Sequence, residues 1–127
     1  MCMGVLHLHS RGVVHRDIKC MNILLTGGIK AKKCLEKANL KLGDMGESRV
    51  LDTESYIKTE KIIGTPLSMA PEVVKSEGYD QRSDIWSMGV ALYTMACLKP
   101  PFFDNNIKNL FNSIQYKQHK AIVHYSG

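Results

Sequence analysis

From Asp84 to Leu98 the chain reads DIWSMGVALYTMACL, a run whose apolar residues fall on nearly every side of the helix that their spacing predicts. A surface helix keeps a polar face toward water, so this one is expected in the middle of a larger body. Ser83 is placed to cap its first turn and Pro100-Pro101 to stop it. The longest apolar stretch, Met88 to Leu98, is broken by Thr94 and falls short of the roughly 20 residues that a bilayer span needs. Its cover must therefore come from the rest of the 127 residues. A chain of that size can form one domain and bury on the order of two thirds of its unfolded surface. A content of 44% apolar and 23% charged residues suits a globular domain.

The N-terminus MCMGVLHLHS has no basic segment ahead of a long apolar run and no glycine directly after Met1, so neither a secretory signal nor a myristoylation pattern is read. The expectation is an intracellular soluble protein, cytoplasmic, with the nucleus as second location. Cys2, Cys20, Cys34 and Cys97 are scattered without a C-x-x-C pair, which favours free thiols. Together with His7 and His9 they lack the ligand spacing of a zinc site. The net charge is +5, and Lys30, Lys32, Lys33, Lys37 and Lys41 lie close together with only Glu36 opposing them. Without interleaved aromatics or a nucleic-acid motif, a solvated charged loop is favoured over nucleic-acid contact.

Residues 1–10 read as the last turns of a helix, with Gly12 at a helix-ending position. Ile23 to Leu25 and Leu40 to Leu42 are short apolar or alternating runs, and Gly27-Gly28 signals a turn. They predict two paired strands around a lysine-rich loop, the first of them buried. From Glu47 to Met69 periodicity is poor and hydroxyls are frequent, which predicts a long mobile loop, functional or disordered. Helical spacing returns over Asn105 to Ile114.

The chemistry concentrates in GVVHRDIKCMNILL, residues 12–25. Asp17 and Asn22 are close enough in sequence for both side chains to face one site, since a chain spans at most about 3.6 Å per residue. Lys19 can share that site. Asp44, in LGDMG, follows the second strand, so a hairpin from Ile23 to Leu42 would return it beside Asn22. Carboxylate and amide oxygens suit magnesium, which is held by few protein groups plus substrate phosphates. Lysine is a point charge fit for a phosphoryl oxygen. A carboxylate left to accept a hydroxyl proton completes the requirements for phosphoryl transfer to an alcohol.

These residues carry a resemblance. His15-Arg16-Asp17 with Asn22, then Asp44-Met45-Gly46, then Ala70-Pro71-Glu72, resemble the catalytic loop, metal-binding motif and activation-segment end of protein kinases. Three motifs in this order, followed by the DIWSMG helix and a PPF loop, are specific in a way that no single one is. GTPLSMAPE, SDIWSMGVALY, LKPPFFDNNIKNLFNSI and the late HYS are most similar to NIMA-related serine/threonine kinases. The resemblance implies an α+β, protein-kinase-like fold: a mainly α-helical C-terminal lobe with a short β-hairpin, spanning residues 1–127 as a partial domain, with the N-terminal lobe absent.

The resemblance also implies roles. Asp17 would accept the substrate hydroxyl proton, Lys19 would steady the transferring phosphoryl group, and Asn22 and Asp44 would hold Mg2+. Leu24 would sit under the adenine of ATP. Thr65, in Gly64-Thr65-Pro66, and Lys19 favour a protein substrate with a serine or threonine acceptor. Arg16 would pair with a phosphate on the activation loop, placed there by an activating kinase. Candidate acceptors are Ser48, Thr53, Ser55, Tyr56 and above all Thr59. Asp84 would hold the catalytic-loop backbone, Glu72 would be structural, and His15 would serve packing. Read without the motif, Asp17 is a capping or surface carboxylate, Asn22 a turn residue, Asp44 part of a strand-ending turn, and Asp84 a first-turn helix residue.

Three features depart from the family pattern. The glycine-rich loop, strand lysine and helix glutamate of the N-terminal lobe have no counterpart, and the arginine that usually pairs with Glu72 lies beyond residue 127. Met45 replaces the usual phenylalanine. The interval from Asp17 to Asp44 is longer than usual, with the lysine-rich piece 26–41 as the insertion. The expectation is a serine/threonine kinase using magnesium-ATP, weak or inactive as this piece alone. The alternative is a pseudokinase or kinase-derived fragment that binds proteins.

Overall fold

The computed structural model describes residues 1–26, 38–51 and 63–122. The Gly27-Gly28 turn, Lys30, Lys32, Lys33, Lys37, Cys34, the hydroxyls of Thr53, Ser55, Tyr56 and Thr59, and the HYS of residues 124–126 lie outside them.

Helix α1 (Cys2–His9) buries Val5 and ends where Gly12 takes a φ of 69°, a left-handed value that glycine adopts without strain. That turn delivers the chain to strand β1 (Val13–Val14). Strand β2 (Ile23–Thr26) pairs antiparallel with β3 (Asn39–Leu42), Ile23 opposite Leu42 and Thr26 opposite Asn39, so the expected hairpin forms. Its apolar side chains are not covered as expected. Leu24, Leu25 and Leu40 remain 53%, 50% and 46% exposed, because two strands make a sheet without a second layer and no described element lies over both faces. Strand β4 (Arg49–Val50) pairs with β1, Val13 opposite Val50. It falls within the span expected to be loop, as does a 3-10 turn over Pro66–Ser68. A two-residue strand has no periodicity to read, and only its partner across the fold defines it.

Helices α2 (Pro71–Val74), α3 (Gln81–Cys97) and α4 (Ile107–Tyr116) complete the described elements. Val14, Met69, Ala70, Val73, Tyr79, Leu110 and Ile114 form the shared core of β1, the loop before α2, α2 and α4. Asn106 caps α4 by accepting from the Lys108 amide at 2.9 Å. The cap of α3 is Asp80 and not Ser83. The Asp80 carboxylate accepts from the Arg82 amide at 2.7 Å, while Ser83 stands third in the helix and accepts from the Asp80 amide at 3.5 Å. This reciprocal capping box starts the helix before the point that the apolar run suggests.

The apolar girth of α3 is only partly buried, contrary to expectation. Its buried residues are Ser83, Asp84, Ser87, Val90, Ala91 and Tyr93, whereas Ile85, Leu92 and Met95 are 49%, 50% and 42% exposed. The 3-10 turn Cys20–Asn22, strand β1 and the Pro66–Ser68 turn pack on it. The Ser87 hydroxyl shares its proton between Ser68 O of that last turn at 2.8 Å and Ser83 O of its own helix at 3.0 Å, and Ser83 Oγ donates to Glu72 Oε1 of α2 at 2.8 Å. Hydroxyls matched in this way can be buried at little cost. No described helix is long and apolar enough to cross a membrane.

Candidate active site

The loop from His15 to Asn22 lies between β1 and β2 and is fixed from beneath by α3. Asp84, 1% exposed, accepts from the backbone amide of His15 at 2.8 Å and of Arg16 at 2.9 Å. The same carboxylate takes a third bond from the His9 ring at 2.8 Å. Arg16 has a φ of 70°, a strained value for a residue with a side chain. It is held from both ends, its amide by Asp84 and its carbonyl by the Tyr79 hydroxyl, which is 3.3 Å from Arg16 O and 2.9 Å from Ile63 O. Burial, with the Asp84 charge adding to it, pushes the Tyr79 phenol well above its usual value. Gly64 passes so close that a Cβ there would stand 2.8 Å from Arg16 O, and its φ is 108°. Only glycine fits that crossing.

His15 is fully buried, with Nε2 at 3.1 Å from Gly43 O and Nδ1 accepting from the Asp17 amide at 3.3 Å. Both ring nitrogens are engaged, as a structural histidine requires. The Arg16 guanidinium is buried as well and its Nε donates to Glu47 O at 2.5 Å. Burial and the neighbouring Arg49 lower its pKa, with Glu47 partly opposing them.

Above this floor, four of the expected residues converge. Asp17 Oδ2 accepts from Lys19 Nζ at 2.6 Å and from Asn22 Nδ2 at 3.2 Å. Asp17 Oδ1 accepts from Thr65 Oγ1 at 2.8 Å, and Lys19 Nζ also donates to Thr65 Oγ1 at 2.9 Å. Burial alone would raise the Asp17 carboxyl, but the bonds from Lys19 and Thr65, the Lys19 charge and the Asn22 amide outweigh it. The carboxyl is held below its ordinary value and stays ionised.

Asn22 spends its amide hydrogens on Asp17, the second going to the backbone carbonyl at 2.8 Å. No described residue donates to its side-chain oxygen. Asp44 follows the end of β3, and the Gly43 amide bonds Asn22 O at 2.8 Å, so the hairpin does return the second carboxylate toward Asn22. Among the described residues Asp44 Oδ1 takes only the Gly46 amide, at 3.3 Å, and makes no hydrogen bond to Asp17 or Asn22. An amide oxygen and a carboxylate, both left with acceptor capacity at neighbouring positions, fit a hard divalent ion that completes its shell with water and phosphate. Leu24 is half exposed and its side chain contacts the Gly43 position from β2.

Sequence reasoning did not find His9, Tyr79 or the Ser83–Glu72 bond. The partner of His9 is 75 residues away, those of Tyr79 are 63 and 16 and that of Ser83 is 11, and no local pattern marks them. Gly64 could have been found, since glycine directly before Thr65-Pro66 signals a backbone that needs room.

The family described as protein kinase domain matches residues 1–126. Mouse serine/threonine-protein kinase Nek3 is 40% identical over 114 residues, covering 90% of this chain and 20% of its own length. Human serine/threonine-protein kinase Nek5 is 39% identical, covering 85% of the chain and 14% of its own length. Rice CBL-interacting protein kinase 25 is 38% identical over 127 residues, covering 97% of the chain and 23% of its own length. The chain thus spans about a quarter or less of the curated relatives it matches.

Proposed function

Because the chain belongs to the protein kinase domain family, we propose that it is the catalytic-loop part, within the C-terminal lobe, of a serine/threonine kinase that phosphorylates protein hydroxyls with ATP. One observation carries the assignment of the base. The Thr65 hydroxyl donates to Asp17 Oδ1 at 2.8 Å, while Lys19 Nζ donates to Asp17 Oδ2 at 2.6 Å and to Thr65 Oγ1 at 2.9 Å. Asp17 therefore already receives a hydrogen bond from an alcohol, beside a cation. A substrate serine or threonine in equivalent contact would give its proton to Asp17 as its oxygen bonds to the γ-phosphorus and the bond from that phosphorus to the ADP oxygen breaks. Lys19 offsets charge on the transferring group. Asn22 and Asp44 would hold Mg2+, which supplies charge neutralisation at the phosphates. Leu24, exposed on β2, would support the adenine. A phosphate set on the loop before Thr65 by an activating kinase would find Arg16 and Arg49 near Glu47.

The test has two arms. Magnesium-dependent ATP binding by this chain is expected to be weak but measurable by calorimetry. The full-length polypeptide that contains it is expected to phosphorylate a serine/threonine substrate, and a rate unchanged by Asp17→Asn would remove the catalytic assignment. A second reading, a protein-binding module, draws on the exposed Ile85, Leu92 and Met95 of α3. It predicts no nucleotide binding under the same conditions.

A further inference from the structure

Met45 stands where the kinase motif usually has phenylalanine, and it sets a thioether sulfur directly after Asp44. The residue is 43% exposed, open to a small solute. Ser48 Oγ lies 3.6 Å from Met45 Sδ and 3.4 Å from His15 O, so its one proton is shared between a sulfur and a carbonyl. The Ser48 amide also donates to Met45 O at 3.0 Å, which places hydroxyl and sulfur across a single turn. Met21 and Met95 are exposed as well, at 84% and 42%, but among the described residues only the sulfur of Met45 receives a hydrogen bond.

That shared proton ties two pieces of the candidate metal site together. The turn follows Asp44, and the His15 carbonyl belongs to the loop that carries Asn22. Thioether sulfur is a weak acceptor and both contacts are long, so the present balance favours neither side strongly. Oxidation would tip it. The sulfur lone pair attacks one oxygen of hydrogen peroxide, the O–O bond breaks, and the departing hydroxide takes the proton of the transferred oxygen and leaves as water. The thioether gives up two electrons and becomes a sulfoxide, whose polar oxygen accepts a hydrogen bond far better than sulfur does. One proton cannot serve both acceptors, so the hydroxyl leaves His15 O and closes the turn on itself.

We propose that Met45 is a modification site for peroxide, whose sulfoxide draws the Ser48 hydroxyl off the His15 carbonyl and thereby weakens the divalent-ion site of Asp44 and Asn22. The metal half of this rests on the kinase reading; the exchange of hydrogen-bond partner does not. The chain is treated with hydrogen peroxide, and peptide mass spectrometry should find one added oxygen on Met45. Exchange of the Ser48 amide with deuterated water, followed by NMR, should slow about 5-fold, the effect of one added hydrogen bond across its turn. Magnesium-dependent ATP binding, followed by calorimetry, should weaken by a similar factor, about 5-fold. Methionine sulfoxide reductase should reverse both changes. Met45→Leu and Ser48→Ala should each make both readouts insensitive to peroxide, although Met21 and Met95 still take up oxygen. Ser48→Ala, which lacks the tie from the start, should bind as weakly as the oxidised parent chain.

A Met45 that stays unoxidised while Met21 reacts overturns the site. So does a Ser48 amide whose exchange peroxide leaves unchanged, or slows equally in Ser48→Ala. A slowed amide with unaltered nucleotide affinity overturns the link to the metal ligands. If the untreated chain binds no magnesium-ATP, the kinase reading fails and the amide exchange still decides the switch of partner, whereas sound binding with no change in exchange leaves that reading intact and removes the switch.

Discussion

Two aspartates close to one loop, Asp84 beneath it and Asp17 upon it, show how similar burial can serve opposite ends. Both are ionisable, both are buried and each collects three donor groups, yet the donors differ in kind. Asp84 takes two backbone amides and a histidine ring. Backbone amides do not move without unfolding the segment that carries them, so Asp84 is a fixed anchor. Asp17 takes a lysine, a threonine and an asparagine side chain. Those donors can rotate away or be displaced by a substrate hydroxyl, so Asp17 remains available. The nature of the donors, more than the depth of burial, separates a carboxylate fixed in the fold from one whose partners can be exchanged.

The sharpest way to break this comparison is Asp84→Ala, which strands two buried amides and the His9 ring. It should cost about 3–5 kcal/mol of stability, read as a lower urea midpoint. A midpoint as high as that of the parent chain would mean that the loop does not depend on α3. Asp17→Asn should do the opposite, slowing phosphoryl transfer by the full-length polypeptide about 10²–10⁴-fold with little change in its unfolding curve.

Smaller changes sharpen the contrast. His9→Ala removes one donor from Asp84 and leaves both amide bonds, so it should cost about 1.5–3 kcal/mol and less than Asp84→Ala. Tyr79→Phe takes the shared proton from Arg16 O and Ile63 O and should cost about 1 kcal/mol, measurable by the same titration. The smallest effect is on pH. The Asp17 carboxyl lies below its ordinary value in the folded chain, so its contribution is present above the unfolded pKa of about 3.9 and is lost as pH falls through the folded value. In Lys19→Met the acid limb of a stability profile should be shallower. An unchanged limb would show that Thr65 and Asn22 hold Asp17 without the lysine.

Much of this was legible beforehand where the signal is local. The hairpin could be read because Ile23–Leu25 and Leu40–Leu42 alternate or stay apolar within a few residues, and they do pair. Asp17, Lys19 and Asn22 could be grouped because so short a stretch of chain cannot carry them far apart. Strand β4 and the hairpin's exposed face could not be read, since both depend on what lies across the fold. The same holds for α3, whose hydropathy pointed to burial on every side. Its serines face the Pro66–Ser68 turn and Glu72 of α2, which offer a carbonyl and a carboxylate acceptor, and several of its large apolar residues face outward.

The sequence by itself determined the order of the motifs, the spacing that brings Asp17, Lys19 and Asn22 into one site, and the family to which they belong, because each is a property of residues near one another along the chain. Only the tertiary structure decided that His9 and Tyr79 brace the loop, that Thr65 closes over Asp17, and which face of α3 is buried. Those outcomes depend on hydrogen bonds between residues up to 75 positions apart, and a buried polar group is stable only where the fold brings it a partner.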